Sequence, residues 1–84
     1  MKNKILVMVY VPMIEREFDI YIPIVKKIGT IKKLIIKIIA EKSDGIFNDD
    51  NTKNLYDKIT GDIIDDNLFV KESNLENGSK IILY

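Results

Sequence analysis

Two acidic stretches hold the residues of this sequence that are best suited to metal chemistry. Residues 48–51 read NDDN and residues 62–66 read DIIDD. Carboxylate and amide oxygens suit a hard cation such as Ca²⁺, but an EF-hand loop also needs a glycine near its centre and a bidentate glutamate at its end. Neither stretch has that pattern. We therefore predict solvated, turn-forming loops at both places and no metal site.

Side chains that could catalyse a reaction are scarce. The 84 residues include no histidine and no cysteine, which excludes imidazole acid–base catalysis, Cys–His dyads, thiolate metal sites and disulfides. Ser43, Ser73 and Ser79 therefore have no histidine to activate them. No pair of carboxylates has a spacing that marks an acid and a base. We predict that the protein is not an enzyme and uses no cofactor.

Charged residues are unevenly distributed, although the formal net charge is zero. Aspartates concentrate in residues 44–66, and lysines concentrate earlier, at Lys26, Lys27, Lys32, Lys33, Lys37 and Lys42. A solvated helix face and solvated loops explain this pattern most simply, and a polarised surface that orients a docking partner is the other interpretation. The lysines also define an alternative function, nucleic-acid binding through a Lys-rich helix. We expect no nucleic-acid partner, because Arg16 is the only arginine and no aromatic residues are interleaved with the lysines.

The composition is typical of one folded domain, which we expect to span residues 1–84. Hydrophobic residues make up 46% of the chain and charged residues 31%, which are ordinary values for a globular protein. The apolar run at 5–11 stops at Pro12, and the run at 31–40 contains lysines, so neither suits a signal peptide or a bilayer-spanning helix. We predict a cytoplasmic protein without direct membrane insertion.

The beginning of the chain predicts a β-hairpin. Residues 4–12, KILVMVYVP, form a continuous apolar run rich in β-branched residues, which suits a central strand. Residues 18–24, FDIYIPI, alternate apolar and polar side chains as a half-buried strand does. Pro23 indicates that this second strand lies at a sheet edge or ends there.

Residues 28–45, IGTIKKLIIKIIAEKSDG, predict an amphipathic helix. We expect the hydroxyl of Thr30 to cap its start and Gly45 to end it in the left-handed conformation. Ile36 falls beside the apolar stripe, either as its margin, which we favour, or as an anchor for a partner. The residues with the spacing of an apolar stripe are Ile31, Leu34, Ile35, Ile38 and Ile39.

The rest of the chain predicts a loop, a hairpin and a final strand. Residues 46–54 are polar and indicate a loop, and residues 55–64 indicate a hairpin with a glycine-containing turn. Residues 65–75 indicate an irregular connection with buried anchors and a short helical turn. Residues 79–84, SKIILY, predict the last strand.

These elements predict a two-layer α+β domain, because one helix and one sheet must cover each other. A right-handed crossover tends to place the last strand parallel to the first. If those two strands are neighbours, both become central, which matches their nearly continuous apolar sequences. The order ββαββ with the first and last strands paired is the β-grasp arrangement.

The same residues resemble known ubiquitin-like proteins. Residues 60–84, TGDIIDDNLFVKESNLENGSKIILY, resemble the last turn-and-strand segment of ubiquitin, and SDGI at 43–46 resembles the sequence after its helix. VYVPMIEREFDIYIPI at 9–24, followed by IGTIKKLI at 28–35, is similar to the bacterial EsaB/YukD family, which accompanies type VII (WXG-type) secretion systems of Gram-positive bacteria. The resemblance implies a cytoplasmic accessory or regulatory protein whose partner is a secretion ATPase or a regulator.

Mapped onto this chain, the resemblance implies a set of side chains that face the helix. Its members are Ile5, Val7, Val9, Phe18, Ile20, Ile22, Val70, Leu75, Ile81 and Leu83. The correspondence with ubiquitin fails around the hairpin at 55–64. Whether Leu55 or Tyr56 points inward therefore stays open.

The strand alternation leaves a second apolar set on the other face of the sheet. Aromatic and methionine side chains clustered on an open sheet suit a partner-binding surface, and ubiquitin carries its main recognition patch on this face. Scattered apolar residues are also normal on a small domain, and a reversed strand phase would bury this set. We predict binding of a protein partner, with a homo-oligomer as one form of it, through Leu6, Met8, Tyr10, Tyr21, Tyr56, Ile82 and Tyr84.

The last residues predict the absence of one chemistry. Ubiquitin-type modifiers and sulfur carriers end in Gly-Gly, whose slender backbone threads narrow enzyme tunnels. Residues 82–84 are Ile-Leu-Tyr. We therefore expect a ubiquitin-like module that is not conjugated and carries no sulfur.

Overall fold

Four β-strands and one long helix follow the predicted order ββαββ in the computed structural model, which describes residues 3–47 and 52–84. In chain order they are β1 (Lys4–Val11), β2 (Arg16–Pro23), α1 (Ile28–Lys42), β3 (Leu55–Asp57) and β4 (Ser79–Leu83). Two short 3₁₀ turns, Pro12–Ile14 and Val70–Glu72, lie between them. The acidic turn predicted at 48–51 lies outside the described residues.

The strands form one mixed sheet in the order β2-β1-β4-β3. β1 pairs antiparallel with β2 and parallel with β4, with Val9 opposite Ile81, and β3 pairs antiparallel with β4. β1 and β4 are therefore central, which explains their apolar sequences. With α1 against one face, this is the predicted two-layer β-grasp fold. No helix in the described ranges combines the length and apolarity needed to cross a bilayer.

The side chains predicted to face the helix do lie in the core. Eight of them are buried, at Val7, Val9, Phe18, Ile20, Ile22, Val70, Ile81 and Leu83. Ile5 and Leu75 are partly buried and pack against the same cluster. At the position left open by the sequence, Leu55 is 1% exposed and Tyr56 is half-buried, so Leu55 points inward.

The helix presents a different face to the sheet from the one that its spacing predicts. Leu34, placed in the stripe, is 39% exposed, whereas Ile36, placed at its margin, is 7% exposed. The reason is Ile28, which lies inside the helix and is fully buried. At about 100° per residue, a stripe centred on Ile28, Ile35 and Ile39 rotates away from Leu34 and towards Ile36.

The start of the helix also corrects a prediction, because Thr30 is not its N-cap. The helix begins at Ile28, and its first amides bond to backbone carbonyls of a distant loop. The N–H of Ile28 donates to the carbonyl of Leu68 at 2.8 Å, and that of Gly29 donates to the carbonyl of Asp66 at 3.0 Å. A Cβ at position 29 would lie 3.3 Å from the Asp66 oxygen, so a larger residue there would push the Asp66 backbone away by a few tenths of an ångström.

The end of the helix agrees with the prediction at Gly45. Its φ is +81°, and its N–H donates to the carbonyl of Ala40 at 3.1 Å. Asp44 precedes it with φ +54° and donates to the carbonyl of Glu41 at 3.3 Å. These two bonds form a Schellman motif, which satisfies carbonyls at the end of the helix.

The loop that follows has an anchor that its polar sequence did not predict. Phe47, within the loop predicted at 46–54, is fully buried. Its N–H donates to Oγ of Ser43 at 3.1 Å, and that Ser43 hydroxyl donates to the carbonyl of Ala40 at 3.3 Å. The Phe47 side chain therefore attaches the start of this loop to the core.

The hairpin predicted at 55–64 forms only in part. Its first arm is β3, which pairs with β4. Its second arm makes one bridge, Tyr56 to Ile63, and the N–H of Ile64 donates to the carbonyl of Leu55 at 2.8 Å. Further on, the predicted helical turn is the 3₁₀ turn that contains the buried Val70.

The phase of the helix can be tested by two truncations. We expect Ile36→Ala to lower the free energy of unfolding by about 2–4 kcal/mol, because it leaves a cavity in the core. Leu34→Ala should cost less than about 1 kcal/mol, because its side chain already contacts water. Urea unfolding followed by circular dichroism measures both. A larger loss for Leu34→Ala would contradict the packing described above.

Candidate protein-binding face

The sheet surface opposite α1 is the candidate site, and we call it the open face. Its side chains come from alternate positions of the strands, because successive strand residues point to opposite sides of a sheet. The predicted residues are half-buried at Leu6, Met8, Tyr10, Tyr56 and Ile82, and exposed at Tyr21 and Tyr84. None of the seven belongs to the core on the helix side.

A row of three large side chains crosses the open face near the C-terminal ends of β1 and β4. Tyr10 of β1 is opposite Ile82 of β4, and Ile82 is opposite Tyr56 of β3. Neighbouring strands are about 4.8 Å apart, so the three side chains stand next to one another. Each is half-buried while the helix lies on the other side of the sheet. The row therefore forms a continuous apolar surface that water reaches.

Two positions further back along β1, beyond Met8, Leu6 is opposite Tyr21 of β2, which is 53% exposed. Leu6 is held in place by the turn before β4. Its N–H donates to Oδ1 of Asn77 at 2.8 Å, and its carbonyl accepts from the N–H of Gly78 at 2.7 Å. Gly78 has φ +91°, a conformation that favours glycine. The Asn-Gly turn thus extends the contact between β1 and β4 and positions the open face.

Tyr84 follows β4, yet its backbone is still paired. Its N–H donates to the carbonyl of Asn54 and its carbonyl accepts from the N–H of Asn54, both at 2.9 Å. Its side chain is 69% exposed. Tyr84, Tyr56 and Met13 contribute to the lining of a hollow of about 390 Å³ at this end of the sheet. Met13 is 59% exposed and was not among the predicted binding residues. Nothing in the sequence of the β1–β2 turn shows that it lies near Tyr56 and Tyr84.

Charged residues of the open face are acidic on β2 and basic on β4 and just after β3, and Lys4 is exposed at the start of β1. Glu17 and Asp19 occupy its positions on the edge strand β2. Lys80 occupies one on β4, and Lys58, just after β3, places Nζ 5.5 Å from the centre of the Tyr10 ring. A lysine over an aromatic ring is a favourable cation–π arrangement. The sequence did not predict these flanks, because they depend on the order of the strands.

The acidic segment serves local structure. Oδ1 of Asp57 accepts from the N–H of Ile59 at 2.8 Å, and Oδ1 of Asp65 accepts from the N–H of Asn67 at 2.8 Å. Such bonds are typical of Asx turns. Oδ2 of Asp66 lies 2.8 Å from a helix lysine. Among the residues that the structure describes, no group of three His, Cys, Asp or Glu side chains is arranged to hold a metal ion.

The helix lysines are partly engaged by the same loop. Lys32 pairs with Asp66, and Nζ of Lys27 lies 5.7 Å from the centre of the Phe69 ring. Lys33 and Lys37 are exposed. Two of the lysines that would form a nucleic-acid surface therefore interact within the protein, which weakens the alternative function.

Comparison with known proteins identifies the fold. No protein-family model matches the sequence, and no curated protein matches it significantly. Among solved structures, the EccD5 ubiquitin-like domain from Mycobacterium xenopi superposes with a TM-score of 0.80 at 11% identity, over 98% of this chain and 93% of that one. The ubiquitin-like domain of the Mycobacterium tuberculosis type VII secretion system protein EccD1 gives 0.75 at 11% identity, over 95% and 96%.

The same fold occurs outside secretion systems. The ubiquitin-like domain of an Arabidopsis thaliana protein gives a TM-score of 0.71 at 20% identity, over 98% of this chain and 77% of that one. The chain is therefore a ubiquitin-like β-grasp module. Its function has to be argued from its own residues, because fold alone does not define function.

The register of β4 can be tested with two neighbouring residues. We expect Ile82→Asp to fold and to lose less than about 2 kcal/mol of unfolding free energy, because its side chain lies on the open face. Ile81→Asp should lose more than about 4 kcal/mol and unfold much of the protein, because it buries an unpaired charge. Thermal unfolding measured by circular dichroism compares them. Equal losses would place both side chains in the core.

Proposed function

We propose that this protein is a ubiquitin-like protein-binding module that works as an accessory or regulatory component of a type VII secretion system. Residues 1–84 act as one module in the cytoplasm. The open face docks onto a protein of that system, such as the secretion ATPase or a regulator. No cofactor and no catalytic step take part.

The observation that carries the proposal is the row formed by Tyr10, Ile82 and Tyr56. Three large side chains on three adjacent strands make a contiguous apolar surface, and such surfaces usually bind other proteins. Tyrosine and methionine side chains are also enriched at interfaces. Tyr84 adjoins the row at the end of β4, and Tyr21 lies on the same face beyond Met8. At both places an exposed ring can add contact area at low cost in side-chain entropy.

Two observations support the type VII assignment. The ubiquitin-like domain of EccD1, a type VII secretion system protein, shares this fold over nearly the whole length of both chains. Residues 9–24 and 28–35 are also similar to the EsaB/YukD family, as described above. The proposal combines a shared fold with a local sequence resemblance.

The docking proposal is tested with the purified cytoplasmic region of the type VII secretion ATPase and with the regulators of the source bacterium. We expect the double variant Met8→Asp, Ile82→Asp to bind its partner at least about tenfold more weakly, because it places charges in the centre of the interface. Isothermal titration calorimetry measures the affinity. Leu34→Asp is the control for the single variant Ile82→Asp, since it adds the same charge to an exposed apolar position on the helix.

The two parts of the proposal fail differently in this experiment. If the double variant binds as well as the wild type, the open face is not the docking surface. If the wild type binds none of the components while its fold is intact, the type VII assignment is wrong. Loss of binding in Leu34→Asp alone would move the site to the helix.

The alternative function makes a different prediction. We expect no binding of single-stranded RNA or duplex DNA at about 150 mM salt, because Lys32 and Lys27 interact within the protein. Fluorescence anisotropy over a salt series measures it. Binding that weakens steeply with salt and disappears in Lys33→Glu, Lys37→Glu would support the Lys-rich helix as the functional surface.

A further inference from the structure

We propose that the open face also binds a second copy of this chain, across a twofold axis that runs parallel to the strands. The inference rests on the proposed function, since it takes the open face to be a binding surface, and it names one occupant. The arguments come from the charges at the flanks, the order of the strands and the size of the face.

The two sides of the open face differ in the sign of their charge. Glu17 and Asp19 lie on the edge strand β2, whereas Lys80 lies on the central strand β4 and Lys58 follows the edge strand β3. A face with charge of one sign would repel a copy of itself. A face with opposite signs on its two sides complements itself after a half turn, which is the condition for a closed twofold dimer.

The strand register selects one orientation of the second copy. Asp19, Met8 and Lys80 form one row across the sheet, and Lys58 continues it, because its N–H donates to the carbonyl of Lys80 at 3.1 Å. A half turn about an axis along the strands places β2 over β3 of the copy. Asp19 then faces Lys58 of the second copy, and Lys58 faces Asp19 of the second copy. An axis across the strands would instead place β2 over β2 and lysines over lysines.

The same half turn matches the apolar centre. It places β1 over β4 of the copy, so that Tyr10 covers Ile82 of the second copy and Ile82 covers Tyr10 of the second copy. For this contact, the Lys58 side chain leaves the Tyr10 ring, against which its Nζ lies in the single chain, and turns towards Asp19 of the second copy. Lys80 then lies over Met8 of the second copy, and Glu17 over Tyr56 of the second copy. Sheets packed face to face are about 10 Å apart, with their strands nearly aligned. An aromatic ring opposite a branched aliphatic side chain fills that space. Both side chains are already half-buried, so the contact excludes the water that remains.

The size of the face sets the strength of the dimer. With four strands, each about 4.8 Å wide, and about five residues of 3.3 Å along each strand, its flat area is on the order of 300 Å². Stable interfaces bury about 800 Å² on each partner. We therefore expect weak, concentration-dependent association. Such a dimer covers the apolar row when no other protein is bound and gives way to a partner that buries more surface.

Sedimentation velocity of the whole chain, from about 10 µM to about 1 mM at low salt, tests the proposal. The wild type should shift from monomer to dimer, and the shift should weaken as salt is added. Ile82→Asp should remain monomeric over the same range. Leu34→Asp should behave like the wild type, because it adds the same charge on the opposite side of the molecule.

A charge exchange tests the orientation. Asp19→Lys and Lys58→Asp should each weaken dimerisation by roughly tenfold, because each places like charges opposite one another. The double variant should return to within about threefold of the wild type, because it exchanges the two signs and restores the pair. Glu41→Lys, a charge reversal on the helix, controls for the change in net charge.

Each outcome decides the proposal. A wild type that stays monomeric up to about 1 mM overturns it, and so does a dimer that persists in Ile82→Asp or a double variant that is not rescued. If the wild type is monomeric while the double variant Met8→Asp, Ile82→Asp no longer binds the protein partner, that result overturns the dimer and leaves the proposed function unchanged. A dimer with the expected variant pattern but no secretion partner would support self-association while the proposed function fails.

Discussion

The parallel pairing of β1 with β4 is the contact on which the rest of the structure depends. Val9 and Ile81 lie opposite one another in this pair and are both fully buried. Parallel neighbours cannot be joined by a tight turn, so the chain between them must cross the sheet, and a helix is the usual crossing element. The crossing buries the apolar side of α1 against one sheet face. The other face of the sheet is left without a covering layer, and that open face is where we place the function.

The position of the crossing is fixed by backbone hydrogen bonds rather than by long strands. The N–H groups of Ile28 and Gly29 donate to carbonyls at Leu68 and Asp66, and the N–H of Val70 donates to a carbonyl just before the helix at 2.8 Å. The bonds of Ile28 and Gly29 satisfy first-turn amides of the helix that would otherwise need a side-chain cap. The segment before β4 is therefore aligned with the segment before α1. This alignment places β4 beside β1, so that Ile82 lies between Tyr10 and Tyr56 on the open face.

An apolar sheet surface in contact with water can bind a partner, and it can also cause non-specific aggregation. Charged residues at sheet edges hinder unwanted association, and here the acidic Glu17 and Asp19 lie on the edge strand β2 while Lys58 follows the other edge strand, β3. The same residues that keep the face soluble can therefore orient whatever covers it. A weak self-complementary contact and a stronger contact with a secretion protein would use the same row of side chains. The second copy and the secretion protein would then compete for the open face. A higher concentration of the module would leave a smaller fraction of its molecules free to bind the secretion protein.

The sequence by itself determined the elements and most side-chain directions within them. Alternation in β1 separates Val7 and Val9 from Met8 and Tyr10 because neighbouring strand residues point to opposite faces. Only the tertiary structure decided between Leu55 and Tyr56, since a strand of three residues is too short for its own pattern and takes its phase from β4. It also decided the helix start and rotation, because the first-turn amides bond to a loop that is distant in sequence. The charged flanks were likewise decided there, since local spacing cannot show which strands become neighbours.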